Sequence, residues 1–556
     1  MTYDFDRYLR YDELTKWLHE TAAAHPELMT VESYGKSYEG RDLWLATLTD
    51  ASTGAHGTKP AHWVDANIHS VEVTAGVAAL SIIDRLVNGF GTDPLVSRAL
   101  RSRTFYIVPR VNPDGVEWVL ADSPQRRRSS TRPWPWRDAH RAPGLHERDI
   151  DGDGRILTMR IPDPNGAWMV SAEDPRIMCA VPTEGTDADT VRYRLMYEGD
   201  IVDHDGFTVP TPHPPEGLDM NRNFPSGWGT TVLGSGDHPL SEPEIDALVR
   251  AIVNRPNVCG YNAFHTSGGV LLRPSSTRRD SAVAPLDIWV WTELGKRGTE
   301  LTGYTVHSVY EDFTFDKSET MSGAADDWVY EHLGIFGWTT EFWDVVHAAT
   351  GTKQSTHFWY TGPTEAEELA VLRWADEHNL EEMCVPWYPF AHEQLGAVEL
   401  GGWNDMCTWT NPPLSLLQAE VQGHADFAIH QALAAPELEI VHNAAVALGD
   451  DVWRVEVGIA NTGWLPTYVS RKARKDRMVL PVAAHLAGAT VAVGTARQEL
   501  GQLGGRSGMR FSQRHDGTPD RALVSWVVRA PAGTAVTITA EHQRAGTVVC
   551  DLVLGA

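Results

Sequence analysis

From residue 11 to residue 378 the chain alternates between strand-like and helix-period segments, and this alternation restricts the fold more than any other feature. Leu14, Trp17 and Leu18 recur at helical spacing ahead of Pro26, and alternating segments near 30–35 and 43–49 read as strands, giving an αββ opening. AHWVDANIH is a short apolar stretch ending at His69, and a helix with Val73, Val77, Leu80, Ile83 and Val87 along one face follows it. TFYIVPRV, starting at Thr104, reads as another buried strand. Helices at 241–253 and 364–378 open with capping-box patterns, Ser241 with Glu244 and Thr364 with Glu367. Strands alternating with helices predict an α/β layer fold.

Two regions depart from that texture. Residues 121–217 are rich in Pro, Arg, Asp and Gly with few periodic apolar positions, so they read as a long insertion that is mostly loop. After Pro436 the pattern becomes period-two alternation, as in DVWRVEVGIAN and ALVSWVVRA, which predicts a small all-β sandwich. The expected organisation is one α/β domain over residues 1–435, carrying the insertion, and a β-sandwich-like accessory domain over 436–556.

Composition narrows the partners. Lys and Arg number 47 against 74 Asp and Glu, a net charge of −27 that repels phosphate backbones and anionic lipid, so neither nucleic acid nor membrane is an expected partner. The start, MTYDFDRYLRYDELTKW, has no basic and apolar leader pattern, and no apolar run approaches the roughly 18 residues that span a bilayer; a cytoplasmic location is expected. Cys179, Cys259, Cys384, Cys407 and Cys550 are never paired as CxxC, which points away from a disulfide framework and from a cysteine metal site. The sequence leaves the oligomeric state unknown.

Catalytic zinc takes three protein ligands from His and carboxylate and keeps one position open. HSVE offers His69 and Glu72 where a buried strand turns into a helix, the place where open α/β sheets put their ligand crevice. HNLE, from His378 to Glu381, has the same spacing but ends a charged helix and reads as solvated surface. His265 in YNAFHTSGG follows a buried strand and reads either as a third ligand or as a satisfied core histidine. Glu341 in GIFGWTTEFW is a carboxylate inside an apolar strand, costly to bury unless paired or functional. As a general base it would take a proton from metal-bound water, which the metal acidifies to a pKa of roughly 7.

Seven motifs occur in an order that resembles the zinc carboxypeptidases of the A/B type, the M14 metallopeptidases: EGRDLW from Glu39, HSVE, VNPDG from Val111, DMNRNF from Asp219, LSEPE from Leu240, FHTSGGVLLRP from Phe264, and DDWVY through TTEF. The resemblance implies a mixed, mostly parallel sheet flanked by helices. It makes His69, Glu72 and His265 the ligands of Zn2+, Glu341 the general base, and Asn221 with Arg222 the clamp on the substrate's free carboxylate. A guanidinium fork pairs bidentately with carboxylate, which suits an exopeptidase. An arginine that stabilises the oxyanion is also implied. In QRRRSSTR, ungapped counting from Asn112 favours Arg127 and the residues that follow favour Arg128.

Several positions depart from the family pattern. Val71 stands between the ligands where the family usually has Arg, and the position of the family's mobile substrate-binding Tyr falls on Glu319. Asp326 falls where basic-specific members carry an acid at the bottom of the side-chain pocket; it reads either as that acid or as part of a helix cap. The insertion lies between two cleft motifs, where it could roof the site and restrict substrates to short peptides. Inside it, DIDGDGRI puts Asp149, Asp151 and Asp153 at positions one, three and five of a calcium loop, so Ca2+ is a second candidate ion; position twelve is Arg160 instead of Glu.

The expected function is zinc-dependent removal of a C-terminal residue from peptides with a free C-terminal carboxylate, with a preference for basic residues if Asp326 faces the pocket. A zinc amidohydrolase acting on a muropeptide or an acylated amino acid is the alternative enzyme. A noncatalytic binding protein on the same scaffold is the alternative of another class, and retention of three ligands, base, Asn and Arg argues against it.

Overall fold

The structure, a computed structural model, describes residues 3–135, 141–184, 190–318, 320–508 and 517–555. Glu319 lies outside these described residues. Eight strands form the central sheet: β1 (Met29–Lys36), β2 (Asp42–Leu48), β3 (Ala61–Ala66), β4 (Thr104–Val108), β5 (Val258–Thr266), β6 (Val270–Arg273), β7 (Thr305–Ser308) and β8 (Phe336–Phe342). Their order is β1-β2-β4-β3-β5-β8-β6-β7. The middle four, β4, β3, β5 and β8, run parallel. β1 and β2 add antiparallel strands at one edge, and β6 turns back antiparallel on β8 at the other. The fold is therefore α/β, as the alternation of periods predicts, with the mixed sheet that the resemblance implies.

Buried parallel strands need cover on both faces. Val64, Ala66, Phe105 and Ile107 point into one core with the helices Val73–Gly89 and Leu414–Leu433. Trp63, Tyr106 and Val108 point into the other with Pro243–Val253 and Ala325–Leu333. The Val73–Gly89 helix is apolar nearly all round because it is enclosed between sheet and helix, and truncating one of its large side chains such as Ile82 should cost about 2–5 kcal/mol.

One predicted cap forms and one does not. Thr364 and Glu367 make the reciprocal capping box. At the other helix Pro243 takes the first turn and Glu242 becomes the N-cap, so Ser241 lies too far out, and Glu244 accepts instead from the Tyr38 amide at 2.7 Å. The insertion is mostly loop, as expected, but its described residues also hold six short strands, among them Gly144–Glu147, Thr158–Pro162 and Tyr193–Tyr197. Thr158–Pro162 pairs with Gly396–Trp403, about 240 residues downstream, in a six-stranded sheet with its own small core around Met159 and Leu400. Strands of three to five residues that pair so far along the chain leave no local periodicity to read.

Beyond Leu438 the chain forms two four-stranded antiparallel sheets. Val455, Val457, Trp526 and Val528 from one meet Val482, Ala484, Ile538 and Ala540 from the other in a shared core, the arrangement of a sandwich. All five cysteines are free. Among the described residues no single helix is long and apolar enough to cross a membrane.

Candidate active site

Three parallel strands deliver the central residues at their carboxyl ends. His265 and Glu341 are register partners on β5 and β8. β3 stops at Ala66, and Asn67 then adopts a left-handed conformation (φ 55°), which a short polar side chain tolerates, to swing the chain toward His69. The Asn67 amide donates to the Glu72 carbonyl at 2.5 Å. Gly76 passes so close that a Cβ would lie 2.3 Å from Asn67 Oδ1, so only glycine fits there.

The result is a buried cluster of two imidazoles and a carboxylate. His69 Nδ1 lies 2.8 Å from Glu72 Oε1, His265 Nδ1 lies 2.9 Å from Glu72 Oε2, and the two Nδ1 atoms are 3.1 Å apart. Ligand atoms from all three residues fall within 4.8 Å of one another. Two ring nitrogens and a carboxylate oxygen facing one point form the donor set that zinc takes when it keeps an open position. Burial would raise the Glu72 carboxyl, but the two histidines outweigh it and hold Glu72 below the usual carboxylate range. Burial and Arg128 push His69 down, and Glu72 with Asp219 more than compensate, so its imidazole is raised.

Asp219 is the functional residue that the sequence reading passed over, although it opens the DMNRNF motif. Its Oδ1 faces His69 Nε2 at 3.0 Å, and its Oδ2 accepts from Arg128 Nε at 3.1 Å. A carboxylate on the far nitrogen fixes a ligand histidine's tautomer and ring orientation. Burial alone would raise the Asp219 carboxyl, and Arg128 and His69 instead hold it well below the usual range.

Of the two neighbouring arginines, Arg128 faces the cavity. It lines the cavity with Glu341 and reaches Glu72 Oε1 at 3.3 Å, and its side chain is 51% exposed. Arg127 is buried and absent from the lining of that cavity, its Nε donating to Glu216 at 2.7 Å. The segment is clasped to the ligand loop. Ser70 N donates to the Arg128 carbonyl at 3.1 Å, Ser129 Oγ to the Ile68 carbonyl at 2.8 Å, and Asn112 of the NPDG motif to the Ser129 carbonyl at 2.7 Å.

His69, Glu72, His265, Arg128 and Glu341 line a cavity of about 470 Å³ that Asn221, Arg222 and Asp326 also line. Asn221 uses its carbonyl oxygen to accept from Ala325 N at 3.0 Å, which leaves its amide nitrogen as the group to donate. Leu272, Val309, Phe313 and Met321 give part of the wall an apolar surface. Asp326 sits in the first turn of its helix, whose N-cap is Ala324. One Asp326 oxygen accepts from Asp327 N at 2.9 Å, while Oδ2 is buried without a partner. Burial raises both carboxyls of the pair, that of Asp327 up to about 7 with Asp326 adding to it. Burial likewise pushes Glu341 up to about 8, against the pull of His265; a nearby dication would draw it back toward ionisation.

Two other expectations meet the structure differently. His378 caps its own helix, its Nδ1 2.7 Å from the Trp374 carbonyl, in keeping with the surface reading of HNLE. The carboxylates of Asp149, Asp151 and Asp153 do converge, but Asp149 accepts from Gly152 N at 2.6 Å and Gly154 N at 2.9 Å, as in a plain Asp-Gly turn. Arg160, at the place of a bidentate Glu, pairs with Glu399 at 2.8 Å, so nothing beyond the three carboxylates supports Ca2+.

Residues 14–155 and 184–359, more than half of the chain, match the Peptidase M14 family, described as zinc carboxypeptidase, and the protein belongs to that family. Residues 437–553 match a family described only as a domain of unknown function. A zinc carboxypeptidase of Saccharothrix mutabilis subsp. capreolus is 36% identical over 114 residues, which are 20% of this chain and 26% of that protein. Carboxypeptidase B of Astacus astacus is 35% identical over 166 residues, 30% of this chain and 46% of that one. The chain thus matches less than half the length of these two curated relatives. The crystal structure of carboxypeptidase A from Helicoverpa armigera has a TM-score of 0.39 at 19% identity, covering 67% of this chain and 74% of that one.

Proposed function

We propose that the protein is a zinc metallocarboxypeptidase that hydrolyses the C-terminal peptide bond of peptides and prefers a Lys or Arg at that end. The observation that carries this reading is one cavity lined at once by a zinc donor set, a carboxylate base and an Asn-Arg pair suited to a free carboxylate. Zinc held by His69, Glu72 and His265 would acidify a water and polarise the scissile carbonyl. Glu341 Oε takes the proton from the attacking water and delivers it to the leaving amine. Arg128 faces the same space and stabilises the negative charge that grows on the carbonyl oxygen. Arg222 and the Asn221 amide bind the terminal carboxylate and so restrict cleavage to the last bond. The apolar wall suits the stem of a long side chain, and Asp326 Oδ2 suits its cationic head.

The test is incubation with a mixed peptide library, with and without a zinc chelator, read by mass spectrometry. Loss of one C-terminal residue, fastest for Lys and Arg and abolished by chelation and by Glu341→Gln, is the expected result. Internal cleavage or intact peptides would sink the reading, and equal rates for basic and apolar ends would remove the preference.

A further inference from the structure

The helix Val73–Gly89 begins directly behind a proposed zinc ligand. Glu72 is its N-cap residue, and an N-cap side chain ordinarily accepts from the amide of the second or third helical residue. Here the Glu72 carboxylate makes no such bond and faces His69 and His265 instead. The amide of Thr74, second in the helix, donates to Asn411 Oδ1 at 3.0 Å. We infer that Asn411 is a positioning residue for the metal site: it caps this helix from far along the chain and so leaves the Glu72 carboxylate to the metal. The inference rests on the zinc reading above.

Asn411 holds the chain on both sides of the ligand. Its Oδ1 also accepts from Thr74 Oγ1 at 2.9 Å, and its Nδ2 donates to the Val71 carbonyl at 2.8 Å and to the Met406 carbonyl at 3.0 Å. Val71 precedes Glu72 and Thr74 follows it by two, so one side chain ties both flanks. An Asn side chain offers two N–H donors and two oxygen lone pairs, and all four are used. Asn411 is fully buried and does not line the catalytic cavity, although Thr410 beside it does. It has nothing left with which to hold a substrate and acts through Glu72.

The segment that carries Asn411 is itself fixed. Residues 404–413 join the strand Gly396–Trp403 to the helix Leu414–Leu433 and lie beyond residue 359, where the family match ends. Thr408 Oγ1 donates to the Met383 carbonyl at 2.9 Å. The Thr408 carbonyl accepts from Trp343 Nε1 at 2.6 Å, two residues past Glu341, and the Trp409 carbonyl accepts from Ser267 Oγ at 2.7 Å, two residues past His265. Pro412 and Pro413 follow Asn411 and restrict the backbone on its other side. One short segment thus holds the chain beside each of the three strand ends that supply the site.

Removing the cap sets two demands on one carboxylate. Thr74 is fully buried, and a buried amide without an acceptor is costly. Glu72, at the N-cap, is the side chain placed to meet that amide, and turning to it takes the carboxylate away from His69 and His265.

The test compares the parent with Asn411→Ala and with Asn411→Asp, which keeps an oxygen for the Thr74 amide. Zinc affinity, measured by competition with a chelator, should fall about tenfold in the Ala variant, the loss expected when a residue supporting a ligand is removed, and stay close to the parent in the Asp variant. A purely structural Asn411 would lower the melting temperature of the Ala variant and leave its zinc affinity unchanged, and that result overturns the inference. Equal losses in the two variants also overturn it, because they put the effect in the Val71 contact instead of the cap. If the Ala variant does not fold, the Asp variant decides alone: affinity like the parent's supports the cap, and weakened affinity overturns it. A second readout needs no metal: crystal structures of the metal-free parent and the metal-free Ala variant. A Glu72 carboxylate turned onto the Thr74 amide in the variant supports the inference even if the parent takes up no zinc, a result that would sink the zinc reading alone; a Glu72 that has not moved overturns the inference.

Discussion

The floor and the walls of the cavity are made differently. On the floor, His265 and Glu341 sit opposite each other on parallel strands, and His69 is held between Glu72 at 2.8 Å and Asp219 at 3.0 Å. The walls come in part from the insertion and from the short helix Phe358–Thr361, and there Arg128, Trp359 and Tyr360 are each about half exposed. Side chains locked by buried partners keep catalytic geometry to a fraction of an ångström, whereas exposed rings on loops adapt to what arrives. Under the proposed reading, the metal ligands and the base belong to the floor, and the contacts to substrate, the oxyanion arginine among them, belong to the walls.

The hardest blow to that division falls on the base. Glu341→Gln keeps the shape of the floor and removes the proton acceptor, so kcat should drop about a thousandfold while KM changes little. Elemental analysis should still find one zinc per chain. Loss of zinc with the activity would mean that floor geometry and proton transfer cannot be separated.

Asp219→Asn probes the support under the floor. The amide can still meet His69 Nε2, but it no longer carries the charge that both His69 and Arg128 face. Zinc affinity, measured by competition with a chelator, should fall about 10–100-fold. Unchanged affinity would show that the ligand orientation is set by the backbone turn at Asn67 instead.

The same contrast explains what the sequence made legible. Floor residues follow buried strands, so the apolar run ahead of His69, the one ahead of His265 and the one around Glu341 announce them, and the chain order of motifs supplies their roles. The walls are long-range. Whether Arg127 or Arg128 faces the cavity depends on Glu216, nearly ninety residues later, and no counting rule around QRRRSSTR contains that partner. Tyr197 meets Arg126 only because the insertion folds as strands against Gly396–Trp403. Asp219 carried no independent mark, since its effect runs through the tautomer of another residue; its place beside Asn221 and Arg222 was the available clue.

Asp326 lies where floor and wall meet, and it gives the smallest expected change and the clearest conflict between function and stability. Its Oδ2 is buried without a partner, and its neighbour Asp327 is also a buried carboxylate, which accepts from Ser276 N at 3.0 Å through both oxygens. Both carboxyls are raised by burial, so the empty protein gains stability as pH falls below about 7, where Asp327 takes up a proton, and loses it as pH rises through that value. Asp326→Asn removes one charge of the pair. The variant should melt higher than the parent at pH 8 and show a flatter dependence of melting temperature on pH. It should also lose about tenfold in kcat/KM for a C-terminal Lys or Arg, the worth of one charge-assisted contact, with little change for Leu. If stability rises while the preference for basic ends persists, another group reads the side chain and Asp326 belongs to the scaffold; if both fall together, the carboxylate has a partner in the folded protein and serves chiefly to hold the helix.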